Sequence, residues 1–475
     1  MAGRTKRIVI ITGYFSGESY GLLGPQMAAT IINDNTEYNA IVVAVTNEDD
    51  KKKLGSAIDG YFEGKPGIVA FSTLGGRQDL FEFAGSLKKK GFLTILAGPQ
   101  AGADFLGETQ WQDFSHRFRG LSDCFCFAVQ GPAQQIIPLL ESGPDPEAQI
   151  SDFKGMAYKN ENEITVLNPS GNWDDNMLSR VDWNTLYRLE NGRFEPVTIS
   201  CAQVLQQIGC QHAARTGEIS IDYPFEFEKI SCSASSVTLC QKGCSFCDVA
   251  ADKGYMGALG YASVKQQLSC LPDGPDGRKI PFELINESPL PKLGSIFEMA
   301  DELSISLSRI NLTLRADYLL KGLSSLEKAL KTAVKKDVRI LLSSIGFESF
   351  DDIILKNLNK GVTRKLNLDA VKAIRSLKSR YPSHLGYLRQ EGGNHGFIHP
   401  TPWDSPEISR RINATISMYR LDLDILPFHS TPLVIHHGSG LGNWIRRIEE
   451  KENIKFERVG TTIAWWQTSL MPLVL

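Results

Sequence analysis

Residues 240–247 of the chain read Cys240-Gln-Lys-Gly-Cys244-Ser-Phe-Cys247, a CxxxCxxC spacing of three cysteines on one short segment. Three thiolates on a tight loop can ligate three irons of a [4Fe-4S] cluster and leave the fourth iron open. A structural zinc site is the competing interpretation, but zinc takes four ligands, usually in pairs with CxxC-type spacing. Neither of the nearest other cysteines supplies that spacing. The segment therefore predicts an iron–sulfur cluster held by Cys240, Cys244 and Cys247.

The distribution of the other cysteines argues against a disulfide framework. The chain has 475 residues and nine cysteines, with none before Cys124 and none after Cys270. An odd, clustered set in a long chain is typical of a metal or redox site. We expect the six cysteines outside the triplet to be structural.

Composition excludes several classes of protein. A length of 475 residues with a hydrophobic fraction of 42% predicts two or three globular domains. The formal net charge of -3 provides no excess of positive charge for binding nucleic acid. No apolar stretch approaches the roughly 20 residues that span a bilayer. The apolar run at the start of the chain ends at Gly13, too early for a signal peptide. We expect a cytoplasmic protein without membrane insertion.

The first third of the chain alternates apolar runs with amphipathic stretches. The apolar runs occupy residues 7–12, 40–45, 67–72, 92–97 and 124–129. Continuous apolar strands between helices predict a parallel, doubly wound (Rossmann or flavodoxin-like) α/β sheet over residues 1–145. Ligands of such sheets bind beside the carboxyl ends of the strands. No GxGxxG or GxxxxGK[ST] motif is present, so dinucleotide and P-loop sites are disfavoured.

The loops of this region, in GIVAFSTLGG (67–76), ILAGPQAGAD (95–104) and AVQGPAQQIIPLLE (128–141), resemble those of the cobalamin-binding domain found in many radical S-adenosylmethionine (SAM) enzymes. The resemblance implies cobalamin contacts from Ser72, Thr73, Leu74, Gly75, Gly98, Pro99, Gln100 and Gly131. The family's DxHxxG segment is missing, which implies cobalamin without a histidine ligand and leaves Arg77 or Gln78 to approach its lower face. A flavodoxin-like scaffold without cobalamin remains the alternative.

Residues 146–230 are expected to form a linker, with a small hairpin over 155–173 and buried structural thiols at Cys201 and Cys210. After the cysteine triplet, strand-like segments recur about every 40 residues, with helical stretches between them. The strand-like segments are 280–289, 305–319, 337–350, 384–400 and 421–433. They predict a partial (β/α)6 barrel over 231–435 with chemistry at the carboxyl ends of its strands, followed by a short C-terminal cap over 436–475.

Several of these segments resemble the radical SAM superfamily, in particular its cobalamin-dependent branch. The matching segments are CQKGCSFC itself, LTLRADYL (312–319), SIGFESFDDIILKNLNKGVT (344–363) and FHSTPL (428–433). The resemblance implies SAM chelated at the open iron. It also implies a SAM pocket formed by Phe246, Asn286, Glu287, Arg315, Glu348 and Ser349.

The function that the resemblance implies is a cobalamin-dependent radical SAM methyltransferase. It would move a methyl group from methylcobalamin to an unactivated carbon of a peptide, protein or natural product, with flavodoxin or ferredoxin as electron donor. His399 and His429 are candidates for acid–base groups. Radical cyclisation or rearrangement without methylation, non-radical methyl transfer, and a sensor that uses the cluster or cobalamin remain open alternatives.

Overall fold

The protein is described by a computed structural model that covers residues 6–72, 77–142, 147–225, 236–247, 254–426 and 430–465. These residues divide into two compact units. The first unit holds the described residues up to Ala202 together with Gly260–Leu271 and Arg458–Thr462, and the second holds the remainder. Among the described residues, no helix is both long and apolar enough to cross a bilayer.

The first unit is built on a parallel sheet. Its elements are β1 (Lys6–Gly13), α1 (Leu23–Asn35), β2 (Tyr38–Val45), α2 (Lys51–Tyr61), β3 (Ile68–Ser72), α3 (Gln78–Lys89), β4 (Leu93–Ala97), α4 (Ala101–Leu106), β5 (Phe127–Val129), α5 (Ile136–Glu141), β6 (Met156–Lys159), β7 (Thr165–Leu167), β8 (Leu186–Glu190), β9 (Arg193–Pro196) and α6 (Tyr261–Ser269). The strand order is β7-β6-β5-β4-β3-β1-β2-β8-β9.

The centre of this sheet, from β5 to β8, is parallel, and antiparallel pairs extend it at both edges. The parallel strands form because their apolar, β-branched residues are buried on both faces, as in β1, where Ile8 to Ile11 are almost fully buried. The expected linker thus contributes its hairpin (β6 and β7) and the pair β8–β9 to the edges of this sheet. The chain adds β2 on one side of β1 and then β3 on the other side. The carboxyl ends of β1 and β3 therefore flank the crevice in which sheets of this kind usually bind ligands.

The second unit contains a six-stranded sheet with the order β10-β15-β16-β17-β18, in which β19 also pairs with β17. The remaining helices and strands are β10 (Ala202–Leu205), β11 (Gln207–Gly209), β12 (Thr216–Asp222), β13 (Ser236–Lys242), β14 (Tyr255–Ala258), β15 (Phe282–Ile285), α7 (Leu293–Glu302), β16 (Arg309–Arg315), α8 (Ala316–Lys321), α9 (Leu323–Lys336), β17 (Arg339–Glu348), α10 (Asp352–Asn357), α11 (Arg364–Arg380), β18 (Leu385–Gly386), β19 (Gly396–Phe397), α12 (Pro406–Tyr419), β20 (Ile435–His436), α13 (Gly440–Glu452), β21 (Glu457–Val459) and β22 (Thr462–Ala464).

Strands β15 to β19 pair in parallel, which places the ends of β15, β16 and β17 at one edge of the sheet. The strand-like segment expected at 421–433 differs, because its described residues form a 3₁₀ turn at Leu421–Leu423 and only an isolated bridge at Thr431. Arg375 accounts for the turn: its guanidinium pairs with Asp424 at 2.7 Å and donates to the carbonyl at the end of α12. These contacts fold the chain back after α12 instead of extending it.

Candidate functional site

The cysteine segment follows directly from β13, which pairs with β12 in an antiparallel hairpin. Cys240 lies on β13 and is exposed, Cys244 is buried, and Cys247 is half-buried. Gly243 has a φ of +61°, a left-handed conformation that favours glycine. The backbone N–H of Cys247 donates to the carbonyl of Cys244 at 3.2 Å. The segment therefore turns sharply between its first and second cysteines and again before its third.

The turn after α10 holds the cysteine segment in place. The Asn359 amide donates to the carbonyl of Gly243 at 2.6 Å. Ser245, which is fully buried, donates its backbone N–H to the Leu358 carbonyl at 3.0 Å and its hydroxyl to the Asn357 carbonyl at 2.8 Å. Sequence reasoning missed this support, although these residues lie within the matched segment 344–363.

The argument that the three cysteines can bind an iron–sulfur cluster rests on the chemistry of their thiol groups. Within the described part of the chain, no three His, Cys, Asp or Glu side chains are gathered as a group that could hold a metal ion. Three thiols on one short segment are nevertheless the ligands that iron–sulfur clusters use. Positive charges beside them would offset the negative charge of the thiolates.

Arg315, at the end of β16, supplies one such charge. It is 4% exposed, and its Nη1 lies 3.6 Å from the Sγ of Cys244. Its Nε donates to Asp317 at 3.0 Å and its Nη2 donates to the carbonyl of Lys360. Burial raises the pKa of the Cys244 thiol, whereas the Lys360 and Arg315 charges oppose that rise. The predicted SAM residue Arg315 is thus in contact with a predicted cluster ligand.

Glu348, at the end of β17, forms a buried ion pair with Lys360. The Lys360 Nζ lies 2.7 Å from the Glu348 Oε1, while the Glu348 Oε2 has no hydrogen-bond partner. Burial lowers the pKa of Lys360, but the negative charges of Glu348 and then Cys244 outweigh it, so the pKa lies above its ordinary value. A Cβ on Gly346 would lie 2.7 Å from both charged groups. Glycine at this position therefore leaves room for the pair.

Asn286 and Glu287 follow β15 at the same edge of the sheet. The Asn286 amide is buried and donates to the Gln206 side chain at 2.7 Å. Burial raises the pKa of the Glu287 carboxyl, and the Lys360 and Arg315 charges lower it only in part. The structure thus brings Glu287, Arg315 and Glu348 into one charged cluster with Lys360, whose role sequence reasoning did not assign.

Two other predicted SAM residues have structural contacts. Ser349 is 1% exposed, its hydroxyl accepts from the backbone N–H of Asp351 at 3.2 Å, and its carbonyl accepts from Asn367 at 2.9 Å. Phe246 is partly buried and packs against a core cluster that contains Trp444. Cys210, predicted as a buried structural thiol, is only half-buried. Burial raises the pKa of this thiol, and the Glu287 charge raises it further.

The histidine candidates are only partly covered by the structure, because His429 lies outside the described residues. The Nδ1 of His399 lies 3.2 Å from the Oδ2 of Asp404, which also accepts from the Thr401 hydroxyl at 3.0 Å. The Asp404 hydrogen bond raises the pKa of His399 above its ordinary value, although burial opposes the shift. His399 therefore contacts a carboxylate, and the two side chains form an ion pair when the imidazole is protonated.

In the first unit, the predicted cobalamin residues lie at the carboxyl ends of three adjacent strands. Ser72 ends β3, and Gly98 and Gly131 follow β4 and β5. Gly98 has a φ of +86°, and a Cβ there would lie 2.7 Å from the Ser72 hydroxyl. Pro99 and the buried Gln100 then lead into α4. Three further predicted contacts, Thr73, Leu74 and Gly75, lie outside the described residues.

Two side chains at this edge, Gln135 and Arg77, have hydrogen-bond partners within the protein. Gln135 fills space beside the loop after β5: its amide donates to the Gln130 carbonyl and accepts from the Gly171 N–H. Arg77 pairs with Asp79 at 2.8 Å and donates to the carbonyl at the end of β2 at 2.9 Å. The described contacts of Arg77 thus lie within its own sheet edge. The fit to cobalamin rests on small residues: Ser72 at the end of β3, and Gly98 and Gly131 in the loops after β4 and β5.

Comparisons with known proteins identify the fold. No known sequence family and no curated protein matches the chain by sequence. The structure is similar to that of OxsB, a cobalamin-dependent SAM radical enzyme solved with aqua-cobalamin and SAM bound. The TM-score is 0.60 and the sequence identity is 12%, and the match covers 97% of this chain and 64% of the OxsB chain. It is also similar to the radical SAM methyltransferase TsrM from Kitasatospora setae, solved with cobalamin and a [4Fe-4S] cluster, with a TM-score of 0.54 and 12% identity over 96% of this chain and 76% of that chain.

The chain therefore spans less than two thirds of the OxsB chain that it matches. Its solved neighbours carry the three cofactors that the sequence motifs imply, and the two units contain the parallel α/β sheets expected of such enzymes. On this evidence of structure and motif together, the chain has the fold of the cobalamin-dependent radical SAM enzymes.

Proposed function

We propose that the protein is a cobalamin-dependent radical SAM methyltransferase that acts on an unactivated carbon of a peptide, protein or natural-product substrate. One observation carries the proposal: the CxxxCxxC segment places Cys244 against the charged cluster at the ends of β15, β16 and β17, in a chain whose fold is similar to TsrM and OxsB. TsrM is described as a methyltransferase. The similarity supports an enzyme of this class.

In the proposed enzyme, Cys240, Cys244 and Cys247 hold the cluster. When bound, the cluster, SAM and cobalamin supply the electron, the radical and the methyl group, so the protein has to bind, orient and exclude water. Glu348 offers a buried carboxylate oxygen without a partner, which suits a hydroxyl or ammonium donor of SAM. Glu287 is a second carboxylate at the same sheet edge.

The proposed domain roles follow the two sheets. Residues 1–145 would bind cobalamin through the loops after β3, β4 and β5, and 231–435 would form the partial (β/α)6 barrel of the radical SAM domain. Residues 146–230 would link them and 436–475 would cap the barrel. Glycine at Gly98 and Gly131, both with positive φ, lets the backbone approach a large planar ligand closely.

A radical conversion without net methylation is the second candidate. OxsB is described as a radical enzyme rather than as a methyltransferase, and the same cofactors would serve both reactions. The two functions differ in whether the methyl group of SAM reaches cobalamin.

The test uses the full chain, reconstituted anaerobically with iron, sulfide and hydroxocobalamin, and incubated with dithionite and SAM that carries a trideuterated methyl group. We expect 5′-deoxyadenosine together with trideuterated methylcobalamin, detected by mass spectrometry. Cys244→Ala should abolish formation of 5′-deoxyadenosine, whereas Cys270→Ala, at the end of α6, should retain it. 5′-Deoxyadenosine without labelled methylcobalamin would favour the second candidate, and no consumption of SAM would contradict both.

A further inference from the structure

Arg315 occupies an unusual position for an arginine, because its guanidinium contacts a thiol inside the protein. Nη1 lies 3.6 Å from the Sγ of Cys244, and both residues are buried. Carboxylates are the ordinary partners of a buried arginine. Here the Asp317 carboxylate takes only Nε, at 3.0 Å, which leaves Nη1 to face the sulfur.

The guanidinium is held firmly in this orientation. Its Nη2 donates to the Lys360 carbonyl, so three edges of the planar group have three different partners. A Cβ on Gly361 would lie 3.7 Å from Nη2, which shows how closely the next turn packs against it. Because the group is fixed by Asp317 and Lys360, its contact with Cys244 does not depend on a freely rotating side chain.

Lys360, whose backbone carbonyl accepts from the guanidinium, carries a second positive charge, which is paired with Glu348. It is 5% exposed, and its ammonium group is bound to Glu348 at 2.7 Å. The reduction potential of an iron–sulfur cluster depends on the hydrogen bonds to its sulfurs, the net charge around it and its exposure to solvent. Reduction adds one negative charge, so an N–H donor and a cation beside a ligand sulfur stabilise the reduced form more than the oxidised form.

We propose that Arg315 is a positioning residue for the Cys244 sulfur and raises the reduction potential of the cluster that this cysteine would hold. The inference rests on the proposed function, because it requires the cluster. The step is the transfer of one electron from an external donor, reduced flavodoxin, ferredoxin or dithionite, to the oxidised cluster, and no covalent bond is broken. The Nη1–H···S contact and the guanidinium charge make that transfer more favourable.

The test is a redox titration of the reconstituted full chain, followed by electron paramagnetic resonance of the reduced cluster. Arg315→Gln removes the charge and should lower the equilibrium constant for reduction at least tenfold, a shift of about 59 mV to lower potential for a one-electron couple. Arg315→Lys keeps the charge but loses the fork that donates to sulfur, and it should shift the potential by a smaller amount in the same direction. Arg309→Gln, at the amino end of β16, should leave the potential unchanged.

Iron and sulfide content per chain is measured in each variant, so that a change in potential is compared only between loaded proteins. If Arg315→Gln does not fold or does not load, Arg315→Lys decides the question. A cluster with the same potential in wild-type protein and in the loaded Arg315 variants would overturn this inference and leave the proposed function standing. A wild-type chain that takes up no cluster would overturn both.

Discussion

The buried ion pair of Lys360 and Glu348 gives the most quantitative prediction. The side chains are 6% and 11% exposed, and the charged atoms lie 2.7 Å apart. With an effective dielectric constant of about 20, Coulomb's law gives an attraction of roughly 6 kcal/mol at this distance. Removal of both groups from water costs several kcal/mol per ion, so the net stabilisation is much smaller. Loss of only one partner should be strongly destabilising, because it leaves the other charge buried and unpaired.

Lys360→Met should therefore destabilise the apoprotein by about 3–5 kcal/mol, since the Glu348 carboxylate already has one oxygen without a partner. The double variant Lys360→Met/Glu348→Gln removes both charges of this pair and should lose less than the sum of the two single losses, with a coupling of about 0.5–3 kcal/mol. The raised pKa of Lys360 means that its contribution is present below its unfolded pKa. It is lost as pH rises through the higher folded value.

The assay is urea unfolding at neutral pH, followed by circular dichroism and by tryptophan fluorescence. Lys365→Met is the matched control, because Lys365 forms an ion pair of the same length, 2.7 Å, with Asp369 on the exposed face of α11. That variant should leave the unfolding midpoint nearly unchanged. Equal losses for Lys360→Met and Lys365→Met, or strictly additive losses in the double variant, would refute the reasoning.

Two further predictions concern the cysteine segment and the histidine pair. Asn359→Ala removes the hydrogen bond to the Gly243 carbonyl and should cost about 0.5–1.5 kcal/mol of stability; we expect lower iron retention after reconstitution, and unchanged retention would contradict a supporting role. Asp404→Asn should lower the raised pKa of His399 towards the ordinary value of about 6.5, measured by NMR titration of the imidazole. In the wild-type protein this pair should stabilise the fold below pH about 6.5 and lose that contribution as pH rises through the His399 pKa, and a His399 pKa insensitive to Asp404→Asn would count against the ion pair.

The parts of the fold that could be predicted from sequence are those with a local physical signal. The apolar runs at 40–45 and 67–72 became β2 and β3 because continuous burial on both faces requires such runs. The run at 421–433 misled, because its apolar residues are indistinguishable from a strand until Arg375 pairs with Asp424. That pairing joins residues far apart in the sequence.

The functional site, too, could be predicted only where the sequence carries a local signal. The cysteine spacing predicts a ligand role for Cys244, but nothing in the spacing indicates that Arg315 contacts it, because that contact depends on how β16 lies beside the turn after β13. Lys360 lies in the matched segment 344–363, yet lysine side chains are usually exposed to solvent. Only the fold shows that it is buried against Glu348.

The most direct test of the central claim is the cofactor content of the full chain, purified anaerobically after growth with added cobalamin and reconstituted with iron and sulfide. The account predicts about four irons, four sulfides and one corrinoid per chain, with the absorption bands of both cofactors. Cys240→Ala, Cys244→Ala and Cys247→Ala should each lose the iron while keeping the corrinoid. Iron and sulfide without any retained corrinoid would contradict the role proposed for the first unit, and iron that survives all three substitutions would contradict the cluster itself.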